Sequence, residues 1–243
     1  KIYNSGWGWT NPTKSFGDDL IANDGFDSYR RKAWIVRWDE LYEPEWEDQF
    51  INADKGEVGM KPGSKWHSCA GYFNYKTVVH PCQGDQFANA TQPSRNYSIM
   101  RYAEILLMYA EACAMTSDDG SGLQALNEIQ NRAGSKTVST KLDLAAVKAE
   151  KRFELWQEGT RFTDLIRWGD IKTLVEADTY CPDFTVTKDR KAALDESNAD
   201  YYVKEFGSEL GFKQGKNERL PFPYNAMRLN SSLVQNPGYE NEN

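Results

Sequence analysis

Two sets of residues in this sequence have types and spacings suited to chemistry. The first is acidic. Glu150, Glu154 and Glu158 recur every four residues, Asp164 follows, and Arg152, Arg161 and Arg167 are interleaved with them. A spacing of four places side chains on one stripe of a helix. Paired carboxylates serve glycoside hydrolysis, one as acid and one as base or nucleophile. Glu154 and Glu158 are the pair such an enzyme would use. The same residues also read as an ion-pair ladder, since Arg161 stands three after Glu158 and three before Asp164. The ladder is the preferred reading; partly buried, it would give packing specificity more than net stability.

The second set is aromatic. Of the 8 Trp, six fall before residue 95: Trp7, Trp9, Trp34, Trp38, Trp46 and Trp66. An indole can cover the apolar C–H face of a pyranose while nearby polar groups take the hydroxyls, which need partners once buried. A Trp also suits a core, because it carries a large buried area. Trp7 and Trp9 flank Gly8, and residues two apart in extended chain point the same way. Trp66 lies in a polar, turn-like context between Gly63-Ser64-Lys65 and His67-Ser68. Trp7, Trp9 and Trp66 are therefore the first candidates for ligand contact, and Trp38 and Trp46, set among acidic residues, come next.

Other chemistries lack their residues. A chain of 243 residues with a net charge of −7 is poorly suited to nucleic acid, which needs clustered Lys and Arg. Neither a basic amphipathic helix nor an apolar run of about 18 residues is present. His67 and His80 form no metal pair. No phosphate loop, Gly-x-Ser-x-Gly elbow or His-Glu-x-x-His occurs, so no cofactor is expected. The run Asp118-Asp-Gly-Ser-Gly122 has oxygens suited to calcium but not the spaced acids of a calcium loop; it reads as a turn. Cys69 and Cys82 share one loop-rich stretch and could bridge in an oxidising compartment. Cys113 reads as a buried free thiol, and Cys181 has no evident partner.

The elements that must position these residues lie in the middle of the chain. Ile99, Ala103, Leu106, Leu107, Ala110 and Ala114 recur at three and four residues, which predicts a helix with Asn96 as a plausible N-cap. A second helix follows at Leu123, Leu126, Ile129 and Ala133, stopped by Gly134 in the C′ position. A third and longer one begins after Asp143 and runs through Leu144, Val147, Leu155 and Leu165. Two such helices and a turn approach the ~34 residues of a tetratricopeptide unit, though that repeat's signature is absent. Before residue 95, Gly, Asn, Asp and Pro interrupt every would-be helix. Ala33-Trp-Ile-Val-Arg37 and Tyr72-Phe-Asn-Tyr-Lys76 read as short strands there, and long ordered loop makes up the remainder. Residues 170–218 read as a helical tail and a solvated insertion, partly helical around Arg190 to Leu194.

Five ordered motifs carry a resemblance. They are Arg101-Tyr-Ala-Glu-Ile-Leu-Leu-Met-Tyr-Ala-Glu-Ala112, Leu126-Asn-Glu-Ile-Gln-Asn-Arg-Ala-Gly134, the run from Glu150 to Gly169, Leu220-Pro-Phe-Pro223 and Gln235-Asn-Pro-Gly-Tyr239. In this order they resemble the C-terminal half of the SusD/RagB family of outer-membrane nutrient-binding lipoproteins. The likeness is tight over residues 95–169 and 219–239 and loose over 1–95. Lys151 and Gln130 stand where that family usually and often, respectively, has Arg.

The resemblance implies a mostly α fold of tetratricopeptide-like helical hairpins with long ordered loops and a few short strands. Residues 1–243 would form the family's C-terminal domain: an aromatic, loop-rich region at 1–95, a helical core at 96–169, and an insertion with a C-terminal docking segment at 170–243. It implies a longer precursor with an export signal and a lipid-bearing Cys, and an N-terminal half outside this chain. It implies non-catalytic binding of an oligosaccharide at the outer face of the outer membrane, through loop aromatics. The ligand would be delivered to a TonB-dependent transporter of the SusC kind. A peptide ligand, the Glu154/Glu158 hydrolase and a helical protein-interaction scaffold are the alternatives. The sequons at Asn89, Asn96 and Asn230 are coincidences in a bacterial protein.

Overall fold

A computed structural model describes residues 11–40, 71–77, 98–117, 119–170 and 213–240, together with the backbone of five short strands elsewhere. In chain order the described elements are α1 (Lys14–Asp24), α2 (Tyr29–Trp34), β1 (Ile35–Arg37), β2 (Ile51–Asn52), β3 (Glu57–Val58), β4 (Lys65–Trp66), β5 (Tyr72–Asn74), α3 (Tyr102–Met115), α4 (Ser121–Ala133), α5 (Leu144–Glu154), α6 (Arg161–Trp168), β6 (Asp183–Val186), β7 (Ala192–Asp195) and α7 (Tyr224–Leu229). The chain is helix-rich, as its periodicity predicts.

The central seam is made by α3, α4 and α5, which pack on one another. Ala103, Leu107 and Ala110 of α3 meet Ala125, Leu126 and Ile129 of α4 and Val147 of α5, with Leu155 closing the end. Leu107, Leu126 and Val147 are fully buried, each worth about 1.5–3 kcal/mol of apolar transfer. Local sequence sets the helix ends. Asp143 caps α5, its carboxylate accepting from the Ala146 N–H at 2.8 Å. Gly134 ends α4 in the left-handed region at φ 68°. The Gly134 N–H donates to the Asn131 carbonyl and the Ser135 N–H to the Gln130 carbonyl, the two bonds of a Schellman cap. A Cβ at Gly134 would stand 2.8 Å from the Tyr29 ring, so the position needs glycine for space as well.

Several expectations shift. The first central helix begins at Tyr102 with Arg101 in the cap position; Ile99 precedes it and is exposed, and Asn96 lies outside the described residues. The long third helix is two helices. After Glu154 the chain turns, with Gln157 at φ 66° and Gly159 at φ 80°, and helix resumes at Arg161. Glu158 therefore leaves the stripe that carries Glu150 and Glu154. Cys113 is free but only half-buried. Asp119 accepts from the Ser121 N–H and hydroxyl, Asp118 lies outside the described residues, and among the described residues no cluster of three metal-ligating side chains forms.

The front of the chain holds helices that local breakers had argued against. Thr13 caps α1 through the Phe16 N–H, and Ser28 caps α2 through the Arg31 N–H. Phe16, Leu20, Ile35, Tyr72 and Phe153 form a second core. The Tyr72 ring lies against the backbone of α1 at Gly17, where a Cβ would come within 2.4 Å of it. Helix α2 runs straight into β1, so of the expected strand Ala33–Arg37 only Ile35–Arg37 is strand, and of Tyr72–Lys76 only Tyr72–Asn74. Strand β1 pairs antiparallel with β5, Ile35 opposite Asn74 and Arg37 opposite Tyr72. Phe153 belongs to α5 and Trp156 to the turn after it, and Trp156 stacks on Phe16 with centroids 5.0 Å apart, which joins front and centre.

A two-stranded and a three-stranded antiparallel sheet complete the described sheet content. Strand β2 pairs with β3, and β6 lies between β4 and β7. Residues 192–195 are thus strand, where a helical stretch was expected, and Trp66 lies in a strand opposite Phe184. At the C-terminal end the two late motifs bind each other. The Gln235 side chain accepts from the Phe222 N–H and donates to its carbonyl, and Asn236 donates to the Leu220 carbonyl. Buried Tyr239 donates to the Arg219 carbonyl. Among the described residues no helix is long and apolar enough to cross a membrane.

Candidate ligand-binding cleft and its ionic floor

Four elements converge on Glu154, at the last turn of α5. Arg30 of α2 grips Asp24 through Nε and Nη2, both at 2.7 Å. Its Nη1 reaches Glu150 and, at 3.1 Å, Glu154 Oε2. Arg101, just ahead of α3, places Nη1 2.8 Å from Glu154 Oε1 and Nε 2.6 Å from Glu158 Oε2. Arg132 of α4 reaches Glu154 through Nη2. Lys76, after β5, donates to the Glu154 carbonyl at 3.0 Å, to the Trp156 carbonyl at 2.7 Å and to Glu158. It thereby satisfies carbonyls left open where α5 stops.

The electrostatics follow from this layering. Burial pushes the Glu154 carboxyl up, but Arg101 and Arg132 outweigh it and hold the group below the usual carboxylate range. Burial wins at Glu150, which is raised despite Arg30 because Asp24 and Glu154 crowd it with like charge. Burial also dominates at Lys76 and lowers it to about 8, with Glu158 opposing.

Above this floor opens a cleft of about 310 Å³, lined chiefly by Tyr29, Arg30, Trp34, Lys76, Arg101 and Arg132. The Lys76 ammonium lies 3.6 Å from the centroid of the Trp34 ring, a close cation–π contact.

A second ionic cluster stands where α3, α5 and α6 meet. Lys151 bridges Glu111 at 3.2 Å and Asp164 at 2.9 Å. Arg167 binds both acids, and Trp168 Nε1 donates to Glu111 at 2.6 Å. Burial raises Glu111, yet the bonds from Arg167, Trp168 and Lys151 prevail and hold it at about 2.

The expected ladder through Arg161 is not formed: Asp164 pairs with Lys151 and Arg167 instead, and Glu158 binds Arg101 and Lys76, residues far away in sequence. Neither helical periodicity nor charge spacing could have named those partners.

Of the aromatic candidates, Trp38 is described. It sits half-buried in the turn after β1, its N–H donates to the Gly71 carbonyl at 2.9 Å, and its ring lies on Gly71, where a Cβ would stand 3.1 Å from Cδ1. For Trp66 only the backbone is described. Trp7, Trp9 and Trp46 lie outside the described residues, as do Cys69, Cys82 and Cys181. The indole that reaches the cleft is Trp34, which sequence reasoning passed over. Its one signal was its place after three consecutive residues, Arg30, Arg31 and Lys32, which contribute cations to the same helix.

Comparison with known proteins agrees with the helix-rich fold. The fold is similar to surface glycan-binding protein A from Bacteroides thetaiotaomicron, at a TM-score of 0.63 and 22% identity, covering 97% of this chain and 43% of that one. The same values hold for that protein in complex with laminarihexaose. A SusD-like protein from Bacteroides fragilis matches at a TM-score of 0.58 and 25% identity, covering 86% of this chain and 38% of that one. The chain thus spans about two fifths of the length of these structures. No curated protein matches the sequence. The model of the SusD family matches residues 2–239, nearly end to end, and the chain belongs to the SusD family.

Proposed function

We propose that this chain takes part in non-catalytic binding of an oligosaccharide at the outer face of the outer membrane, and in its delivery to a SusC-like, TonB-dependent transporter. The observation that carries this reading is the family match over residues 2–239. A surface glycan-binding protein of similar fold, solved with laminarihexaose, supports the choice of ligand class. Trp7, Trp9, Trp66, Trp38 and Trp46 are the proposed ligand contacts, because an indole can cover the apolar face of a sugar ring.

The ionic floor supports a binding role over a hydrolytic one. A glycosidase acid must hold a proton near its working pH. Glu154 meets three guanidinium groups and is held ionised, and Glu158 is tied to Arg101 and Lys76. The outer side of α3 gives some support to a protein contact beside the glycan site, because Tyr102, Ile105, Met108 and Tyr109 are exposed there.

The test is an array of glycans and peptides, followed by calorimetry on Trp66→Ala, Trp38→Ala and the Trp7/Trp9 double variant. Loss of affinity on the order of tenfold in at least one of them is expected. Unchanged affinity in all three would remove the site, and an array that retains only peptides would remove the glycan. Release of reducing sugar that vanishes in Glu158→Gln would restore the hydrolase.

A further inference from the structure

We infer that the cleft above Glu154 is a subsite for an anionic sugar, one carrying a carboxylate or sulfate; this rests on the glycan-binding reading and narrows its ligand class. The argument is the vertical order of charge. The deepest groups are three acids and one cation: the Glu154 and Asp24 side chains are 0% exposed, and those of Glu150 and Arg30 are 2% exposed. Toward the opening come Lys76 and Glu158, paired with each other, then Arg101, and outermost Arg132, whose side chain is 56% exposed. Among the described residues, every ionisable side chain that lines the cleft, apart from the Tyr29 phenol, is a cation, and no carboxylate lines it. The cluster is close to neutral as a whole, yet it presents its positive side to the opening. Low-dielectric walls strengthen such a field at the mouth of a cleft.

The donors single out one residue. Arg30, Arg101 and Lys76 spend their N–H groups on floor carboxylates and backbone carbonyls. Arg132 spends Nη2 on Glu154. Its Nε and Nη1 have no acceptor among the described residues, and each keeps an N–H that can donate singly to an oxygen of a carboxylate or sulfate. The volume of about 310 Å³ is at the lower limit of small-molecule sites, enough for one sugar ring and its acidic substituent. Tyr29, 77% exposed, and Trp34 supply the apolar and polar wall beside it.

Calorimetry with trigalacturonate, its methyl ester and a sulfated trisaccharide tests this on the wild-type protein and on Arg132→Ala. The ester keeps the skeleton and removes the charge. Expected are a preference for the free acid or the sulfate of about tenfold over the ester, weakening with salt, and loss of that preference in Arg132→Ala. Arg132→Ala leaves Glu154 its bonds to Arg30 and Arg101, so the fold is expected to survive; if it does not, the acid-against-ester comparison on wild type decides alone. Equal affinity for acid and ester, or binding of neutral glycans only, overturns the anionic subsite and leaves glycan binding intact. Failure of every glycan, charged or neutral, overturns both. An acidic peptide bound through Arg132 where no sugar binds overturns the assignment to sugar.

Discussion

The two ionic clusters use the same residue types and differ in reach. The cluster around Glu111 is regional. It ties α3 to α5 and α6, and the Trp168 indole shares its acid. The cluster around Glu154 is global. Its arginines come from α2, from the residue before α3 and from α4, and Lys76 comes from beyond β5. Folding the front of the chain onto the helical seam is thus coupled to neutralising one carboxylate. The difference teaches where a buried ion pair acts as a local brace and where it sets the register of distant elements. It also accounts for the cleft beside the second cluster: elements that meet from four directions leave space between them.

The largest effect is expected at Glu154. Glu154→Gln strips the charge that three guanidiniums face, and the loss of one partner from a buried network costs about 3–5 kcal/mol. Urea denaturation would read it as a lower midpoint, with the front core of Phe16, Leu20 and Tyr72 released before the seam. A midpoint unchanged from wild type would break the idea that this cluster holds distant elements together.

Glu111→Gln is expected to cost less, about 2 kcal/mol, because Arg167 is half exposed and Lys151 keeps Asp164. Its sharper signature is in acid. Folding holds Glu111 at about 2, below the ordinary 4.5. The unfolded chain therefore binds more protons between those values, so the stabilisation is complete above about 4.5 and disappears as pH falls toward 2. The variant should flatten that part of the wild-type acid profile, measured by thermal melting across the window.

The smallest effect is expected at alkaline pH. Lys76 is lowered to about 8 from 10.5, so the unfolded chain again holds more protons between those values. Stability carried by Lys76 rises as pH climbs through that window, because the cost of burying its charge is relieved. Comparing wild type with Lys76→Met should isolate this slope. Identical profiles would show that Glu158 compensates the ammonium fully.

Much of the seam could be read directly. Asp143 and Gly134 marked helix ends, and the three-and-four spacing of Ala103, Leu107 and Ala110 marked the buried side of α3. Each of these signals acts within one or two turns, so neighbours in sequence suffice to produce it. The front was harder. The breakers between residues 11 and 40 were read as stops, but Thr13 and Ser28 use the same local chemistry to start helices, and the apolar payload of α1 is supplied by Phe153 and Tyr72 from other parts of the chain. The strand at 192–195 likewise depends on partners in β6 and β4.

By itself, then, the sequence determined the family, the helical class and the helix ends at Gly134 and Asp143, because ordered motifs and short-range hydrogen bonds belong to contiguous residues. Tertiary structure alone decided that Glu158 would leave its stripe to meet Arg101 and Lys76, and that Trp34 would face an open, cation-lined hollow. Those outcomes depend on contacts between residues up to 124 positions apart, and burial and charge pairing at that range are set by how elements pack rather than by what lies next to them in the chain.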